Sequence, residues 1–319
     1  MFELMELDLV VLLLLIGKLA ELAMINGKDE MLKKIEEAII LSKAQELLPS
    51  SFQPDPQRDE FLDEGEIELI DGTTWLDSVH IDAALTLLRH RFTDINGLFN
   101  VEWGATLSFA KAGNKWIQII HNGQDHWLCA AQGFHSDDVT VYDSLTAGRS
   151  QFSMETHAIN CIGCLGCSQN NNDLTILNMC CDRQDNVNDC GVYAIAFATA
   201  LAYGKNPSGL RFDGLKLRSH LMSCFRRKQI SLFPTLNATR ERCEPPFVLT
   251  LPLFCHCRRS DAKLNGDWDL IQCVGSCGGR YHRMCDRIPQ TVFDKEDRWI
   301  CPRCVDEQPA AVLSNDFSL

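Results

Sequence analysis

The sequence predicts an α+β domain that is preceded by a helical segment and followed by a small cysteine-rich module. Three observations support this prediction. Helical spacing of apolar residues dominates the first part, short β runs alternate with helical patterns in the middle, and closely paired cysteines are concentrated near the end. A chain of 319 residues is long enough for one sizeable core plus a small module.

The composition is that of a globular protein, with 45% apolar and 23% charged residues. A net charge of −13 argues against a broad nucleic-acid-binding surface, because phosphate binding requires clustered Lys and Arg. Sixteen cysteines without the even spacing of a secreted disulfide protein indicate metal or thiol chemistry in a reducing compartment. We therefore expect an intracellular protein with no direct nucleic-acid partner.

Residues 1–50 are predicted to form a helical N-terminal segment. The apolar run Leu9–Ile16 has the length of a signal-peptide core, but acidic rather than basic residues precede it. The run stops at Gly17, well short of the ~20 residues that span a bilayer. A buried or partner-binding helix is favoured over a membrane-directed segment, so no membrane partner is expected.

The remaining boundaries follow from shifts in composition. An acidic stretch with a single base and two prolines predicts a solvated linker, and a second proline-containing stretch separates the α+β domain from the cysteine-rich module. The predicted regions are the linker 51–72, the α+β domain 73–235, the linker 236–252, the module 253–306 and the tail 307–319.

Within the α+β domain, apolar periodicity predicts three helices and three short strands. The predicted helices are Trp75–Phe92, Val192–Tyr203 and Leu215–Arg227. The predicted strands are Trp116–Ile120, His126–Ala131 and Val139–Tyr142.

The C-terminal module contains four close pairs of cysteine or histidine residues. Zinc takes four nitrogen or sulfur ligands in a tetrahedron, and each close pair on a tight turn supplies two of them. Four pairs therefore predict two ions. The pairs are Cys255-x-Cys257, Cys273-x3-Cys277, His282-x2-Cys285 and Cys301-x2-Cys304.

The order of these ligands resembles that of a plant-homeodomain (PHD) finger, since histidine is the fifth ligand and Trp299 stands two residues before Cys301. The resemblance implies a cross-brace with two structural zinc ions. One ion would be held by Cys255, Cys257, His282 and Cys285, and the other by Cys273, Cys277, Cys301 and Cys304.

The resemblance also implies a protein-binding module, with a histone tail as a candidate partner and a nuclear location. Many methyl-lysine readers of this family have tryptophan where this chain has Arg280. Trp268 could form one wall of an aromatic cage, but the cage is incomplete. Asp267 and Asp269 could pair with basic tail residues or form an exposed acidic turn.

A candidate nucleophile, Cys190, stands between Asp189 and Gly191, immediately before an apolar helix. The helix dipole stabilises a thiolate at this position, and a neighbouring imidazole would make it a competent nucleophile. The motif alone is only suggestive, because buried cysteines are common at helix starts.

His126 and Asp143 are the candidate partners of this nucleophile. If the strands that carry them form a hairpin centred between Phe134 and His135, the two residues face each other. A cross-strand distance of ~5 Å lets a carboxylate orient an imidazole. A structural histidine with a strand-end aspartate is the alternative.

The order His126, Asp143, Cys190 resembles that of the ubiquitin-like-protein proteases, the superfamily of the SUMO and adenoviral proteases. Gln184, six residues before Cys190, matches the oxyanion-hole glutamine of that family. Trp75-Leu76-Asp77 resembles the family's opening motif with one residue missing. The resemblance implies a papain-like cysteine protease fold of the ubiquitin-like protease type, without a catalytic cofactor.

The resemblance further implies that Cys190 attacks the carbonyl after the terminal glycine of a ubiquitin-like modifier, either in a precursor or in a conjugate. His126 would act as base and acid, Asp143 would orient it, and Gln184 would stabilise the oxyanion. Trp75 and Trp127 would line a tunnel for the terminal Gly-Gly; Trp75 could equally cap its helix as a core residue.

Two functions compete at this point. The first is an active protease, most simply SUMO-specific, that is targeted by its finger. The second is a catalytically inactive chromatin-binding adaptor. The combination of the two domains also resembles transposon-associated proteins. The cluster Cys161-x2-Cys164-x2-Cys167 could bind a metal, although structural thiols are favoured.

Overall fold

The computed structural model describes residues 57–146, 156–166 and 173–236, and residues 245–306 with gaps at 254, 256, 259–269, 283–284, 286–287 and 289–298. The predicted segment 1–50 and tail 307–319 lie outside the described residues, as do Cys167, Asp267, Trp268 and Asp269. No helix in the described part of the chain is long and apolar enough to cross a membrane.

Seven α-helices and eight strands are described, joined by short 3-10 turns at Leu69–Asp71, Pro207–Gly209 and Gly214–Lys216. The helices are α1 (Glu64–Glu68), α2 (Ser78–Arg91), α3 (Glu102–Ala105), α4 (Thr156–Leu165), α5 (Cys190–Ala202), α6 (Leu217–Arg226) and α7 (Pro302–Asp306). The strands are β1 (Asn96–Gly97), β2 (Trp116–His121), β3 (Trp127–Gln132), β4 (Val139–Tyr142), β5 (Asp173–Met179), β6 (Phe247–Pro252), β7 (Leu270–Gln272) and β8 (Arg280–His282).

The six strands β1 to β6 form one sheet in chain order, with β1–β2 and β4–β5 parallel and the other pairs antiparallel. Both faces of its centre are buried, so β2 to β4 read as nearly continuous apolar runs. Helices α2 and α5 share one apolar cluster with the sheet, and α4 shares a second cluster on the other face. The mixed α+β fold class is confirmed.

Helix α2 begins later than predicted because Asp77 caps it. The Asp77 carboxylate accepts the backbone N–H of His80 at 3.2 Å, which satisfies one of the unpaired donors of the first turn. The predicted start at Trp75 is therefore wrong by three residues. Trp75 stands before the cap and is exposed over 47% of its surface.

The hairpin of β3 and β4 differs from the predicted register. Cys129 pairs with Tyr142, which centres the hairpin between His135 and Ser136, one residue later than expected. His126 is therefore not directly opposite Asp143. The pairing shifts by two residues along one strand, and an even shift keeps each side chain on its expected face of the sheet.

The predicted acidic linker 51–72 is partly folded against the domain where the structure describes it. Asp63 closes a capping box at the start of α1, and Ile67 and Ile70 are buried in the first apolar cluster. The acidic side chains lie on the outer surface, as the charge of this stretch predicted. The burial of Ile67 and Ile70 was not predicted, because these two residues stand among many charged ones.

The predicted linker 236–252 is also corrected. Its last six residues form β6, which pairs antiparallel with β5 along its whole length. Leu253, the next residue, is buried in the second apolar cluster. The three prolines of this stretch predicted a connector, whereas the alternating sequence between Pro246 and Pro252 is compatible with an outer strand.

Candidate active site and metal centre

Cys190 is the first residue of α5 and is 1% exposed. The turn before it is held by Asn186, whose side-chain oxygen accepts the backbone N–H groups of Asn188 (3.0 Å) and Asp189 (2.9 Å). The next residue, Gly191, is closely packed, since a β-carbon there would lie 3.0 Å from Cβ of Leu76. The local sequence thus fixes the thiol at a helix N-terminus.

His126 and Asp143 form a buried pair. Nε2 of His126 lies 2.9 Å from Oδ1 of Asp143, and neither side chain is more than 2% exposed. Asp143 also accepts the backbone N–H of Leu145 at 2.9 Å and the hydroxyl of Thr146 at 3.0 Å. The carboxylate is therefore held by several donors and can fix the orientation of the imidazole.

The His126 imidazole also faces Cys190. Its second ring nitrogen, Nδ1, is buried without a hydrogen-bond partner of normal geometry, but the Cys190 thiol is close enough to affect its protonation. Burial lowers the pKa of His126, whereas the hydrogen bond to Asp143 and the nearby Cys190 thiol raise it, and the net result is a pKa of about 9. The site therefore favours a charged imidazole at neutral pH.

Gln184 is buried and joined to the strand that carries Asp143. Its side-chain oxygen accepts the Ser144 hydroxyl at 2.5 Å, and its backbone N–H donates to the Ser144 carbonyl at 3.1 Å. Its side-chain N–H₂ donates to the Asn186 carbonyl at 2.6 Å. The structure thus places Gln184 between the Asp143 strand end and the turn before Cys190.

Trp75 and Trp127 differ in exposure. Trp127 is buried, and its indole N–H donates to the Leu76 carbonyl at 2.9 Å. Trp75 is the neighbour of Leu76 and is about half exposed. The structure therefore brings the Trp75 segment next to Trp127, with one indole anchored and the other facing solvent.

Sequence reasoning missed Ser144 and Thr146, which hold Gln184 and Asp143. A signal was present, since Ser and Thr within three residues of a strand-end Asp often form side-chain-to-backbone turns. Their specific partners could not be read from local sequence, because Ser144 and Gln184 are separated by 40 positions.

The predicted zinc ligands fall into two groups, and within each group the ligand atoms lie within 4.8 Å of one another. The groups are Cys255, Cys257, His282, Cys285 and Cys273, Cys277, Cys301, Cys304. Sulfur–sulfur distances of 3.4 Å (Cys255–Cys257) and 3.6 Å (Cys277–Cys301) suit two ligands of one tetrahedral ion.

Backbone groups complete the second of these groups. The N–H of Cys301 points at the Cys273 sulfur at 3.2 Å, and the N–H of Gly275 points at the same sulfur at 3.3 Å. Such donors stabilise thiolates, which are the form that binds zinc. The residues present therefore fit two zinc ions, which would hold the module together.

The first zinc group adjoins helix α4 of the sheet domain. Nε of Arg258, one residue after Cys257, donates to the Gly163 carbonyl at 3.3 Å. A β-carbon at Gly163 would lie 2.2 Å from the Arg258 carbonyl oxygen, so only glycine fits there. The Cys161 thiol donates to the Gly104 carbonyl in α3, and the Cys164 thiol donates to the Leu107 carbonyl just after α3, which is a structural role for both.

Comparison with known proteins points to one family. Residues 115–231 match the model of the Ulp1 protease family, C-terminal catalytic domain. No curated protein matches the chain in sequence.

Several solved structures resemble the chain at low identity. One is the X-ray structure of the C-terminal Ulp1 protease domain in complex with SMT3, the yeast ortholog of SUMO, at 12% identity and TM-score 0.41, covering 60% of this chain and 95% of that chain. Another is the Chaetomium thermophilum Ulp1-like SUMO protease catalytic domain, at 17% identity and TM-score 0.39, covering 56% and 96%.

The matched residues include His126, Asp143, Gln184 and Cys190 but neither Trp75 nor the zinc module. Within this range lies the buried imidazole–carboxylate pair beside a helix-terminal thiol. The family match supports a Ulp1-type cysteine protease catalytic domain at residues 115–231.

Proposed function

We propose that this protein is a cysteine protease that cleaves after the C-terminal Gly-Gly of a ubiquitin-like modifier, with a SUMO-like modifier as the preferred substrate. The observation that carries the proposal is the buried contact between His126 and Asp143, with Cys190 next to the imidazole, inside the range that matches the Ulp1 family.

In the proposed reaction, Cys190 is the nucleophile and His126 accepts its proton. The sulfur attacks the glycine carbonyl carbon, and the imidazolium then protonates the leaving amine. Water hydrolyses the resulting thioester and regenerates the thiol. Asp143 keeps Nε2 of His126 engaged, so Nδ1 is directed to the thiol and the leaving group.

Gln184 is the proposed side-chain donor to the oxyanion, together with the Cys190 backbone N–H. A carboxamide has two N–H donors, and the contact with Asn186 uses one of them. The Ser144 hydroxyl holds the amide oxygen, which fixes the direction of the remaining N–H. Such a preorganised donor is effective in a buried site, where competition from water is small.

Selectivity for glycine is assigned to Trp75 and Trp127. Trp127 is immobilised by its bond to Leu76, and Trp75 is the exposed wall on the same segment. A narrow passage between two indoles excludes residues with a β-carbon.

The zinc module is proposed to be a PHD-type finger that targets the protease to a basic protein tail, such as a histone tail, in the nucleus. The support is the pairing of its eight ligands and the net charge of the chain, which suits basic partners. Arg280 is exposed on β8 where a cage tryptophan would stand in methyl-lysine readers, so an unmethylated tail is the preferred partner.

An electrophilic probe built on the C-terminus of SUMO, ubiquitin or another modifier tests the catalytic proposal. Wild type should form a thioether adduct with one of them, and Cys190→Ala should form none. Cys180→Ala is the matched control, since Cys180 is a partly exposed thiol outside the proposed site. Absence of an adduct with every modifier would favour the inactive adaptor.

Binding of histone-tail peptides to the full chain, measured by calorimetry, tests the targeting proposal. An unmethylated tail should bind, and Cys273→Ser should abolish binding because it removes a zinc ligand. Equal binding by both proteins, or binding by neither, would refute a zinc-dependent tail site.

A further inference from the structure

Arg218 of α6 makes four hydrogen bonds to two separate segments of the active-site region. Its side chain is 13% exposed, and so is that of its ion-pair partner Asp189. Leu217 and Leu221 of the same helix are buried in the first apolar cluster, of which Arg218 is not a member. The bonds themselves indicate what the residue does.

The first segment is the turn before the nucleophile. Nε of Arg218 donates to Oδ1 of Asp189 at 2.7 Å, and a terminal N–H donates to the Asn188 carbonyl at 3.1 Å. Oδ2 of Asp189 accepts the side-chain N–H₂ of Asn186 at 2.7 Å, and the Asn186 carbonyl accepts Gln184. A continuous path of hydrogen bonds therefore runs from Arg218 to the proposed oxyanion donor.

The second segment leads to Trp75. The two terminal nitrogens of Arg218 donate to the carbonyls of Ile70 at 2.9 Å and Thr74 at 2.8 Å. Asn188 adds a direct link, because its side-chain N–H₂ donates to the Thr73 carbonyl. The residue before Trp75 and the residues before Cys190 are thus tied to one guanidinium.

A guanidinium is suited to this task. It is planar, permanently charged and has five N–H donors in a rigid fork, so it can fix several acceptors at once. Lysine has a single ammonium on a flexible stem and cannot reproduce that geometry. Without the guanidinium, the Trp75 segment would keep the Trp127–Leu76 and Asn188–Thr73 bonds but would lose the two bonds, at Ile70 and Thr74, that tie it through Arg218 to the nucleophile turn.

We infer that Arg218 is a positioning residue that sets the distance between the exposed indole of Trp75 and the turn that carries Cys190. This inference rests on the proposed function. Arg218 touches neither the thiol nor the imidazole; it acts through Asp189, Asn188 and the Thr74 carbonyl. By setting this distance, Arg218 determines the width of the passage for the substrate's terminal glycines.

Three variants test the inference: Arg218→Met, Arg218→Lys and the control Arg226→Met. Arg226 lies on the same helix and pairs with the exposed Glu64. The Gly-Gly modifier probe should react about 10- to 100-fold more slowly with Arg218→Met, as expected for a small misplacement of substrate. Arg218→Lys should fall between Met and wild type, and Arg226→Met should match wild type.

Two further readouts separate positioning from a general loss of structure. Alkylation of Cys190 by iodoacetamide should change little in Arg218→Met, since the Asp143–His126–Cys190 contacts do not involve Arg218. A probe with alanine in place of the penultimate glycine should be rejected less strongly by Arg218→Met than by wild type. Equal loss of alkylation and probe labelling, or unchanged glycine selectivity, would overturn the inference.

Hydrogen exchange decides the inference even if no modifier probe labels the wild type, an outcome that would refute only the proposed function. Amides of residues 70–76 and 186–190 should lose protection together in Arg218→Met and keep it in Arg226→Met. Loss in neither segment, or in only one, would show that Arg218 does not join them. If Arg218→Met does not fold, Arg218→Lys supplies the same comparison.

Discussion

The catalytic region and the zinc module are stabilised in different ways. The catalytic region packs two large apolar clusters on opposite faces of a six-stranded sheet. The module has one small cluster, and four of its seven buried members are cysteines that belong to the zinc groups. A core of this kind cannot offset chain entropy without its ions, whereas the sheet domain needs none.

The largest effect that separates the two regions is expected from zinc removal. Apparent binding free energies of about 10–16 kcal/mol for structural zinc imply that the module unfolds when a strong chelator takes both ions. Hydrogen exchange should then become fast in residues 270–306 and stay slow in β2 to β4. Metal analysis should give two zinc ions per chain before chelation. Simultaneous loss of protection in both regions would contradict separate stabilisation.

A smaller effect is expected where the two regions touch. Gly163→Ala places a β-carbon 2.2 Å from the Arg258 carbonyl oxygen and should lower the free energy of unfolding by about 1–3 kcal/mol. Gly166→Ala is the matched control, because its β-carbon would lie at least 3.4 Å from its neighbours. Chemical denaturation measures both. Equal stability of the two variants would show that the junction is not tight.

The pH dependence should also differ between the regions. The folded-state pKa of His126, about 9, lies above its ordinary value of 6.5. The contribution of charged His126 to the free energy of unfolding is therefore fully present below pH 6.5 and is lost as pH rises through 9. The rate of the proposed reaction should fall over the same rise through pH 9. The zinc module should instead lose its ions at low pH, because acid protonates the cysteine and histidine ligands. Thermal melts and labelling rates between pH 5 and 10 test both expectations.

The smallest effect concerns the support of Gln184. Ser144→Ala removes one hydroxyl bond and should lower kcat/KM by roughly two- to tenfold, the range expected for loss of a single hydrogen bond. The thermal midpoint should change little. Ser136→Ala, in the turn between β3 and β4, is the control. A larger fall for Ser136→Ala than for Ser144→Ala would remove Ser144 from the site.

Much of this arrangement could be predicted from the sequence, because the strongest signals were local. Paired cysteines at fixed spacing predicted two groups of ligands, and the strand β4 was predicted with its observed ends. The residues His126 and Asp143 were also placed together, although through a register that differs by two residues. An even shift preserved the face of the sheet and hence the contact.

What escaped prediction depends on long-range partners. The acidic residues around Ile67 and Ile70 read as a solvated linker, since burial of two side chains among many charges has no strong local pattern. The contacts of Arg218 join residues separated by as many as 148 positions. The strand β6 needed β5 as a partner before its role could be recognised.

The pairing of β6 with β5 has a consequence for any attempt to separate the two regions. A protein that ended at residue 235, the predicted domain boundary, would leave β5 as an open edge strand. The unpaired N–H and C=O groups of such an edge can pair with the strands of other chains, which promotes aggregation. A soluble catalytic fragment would therefore have to retain residues 247–253, even though they belong by sequence to the approach to the zinc module.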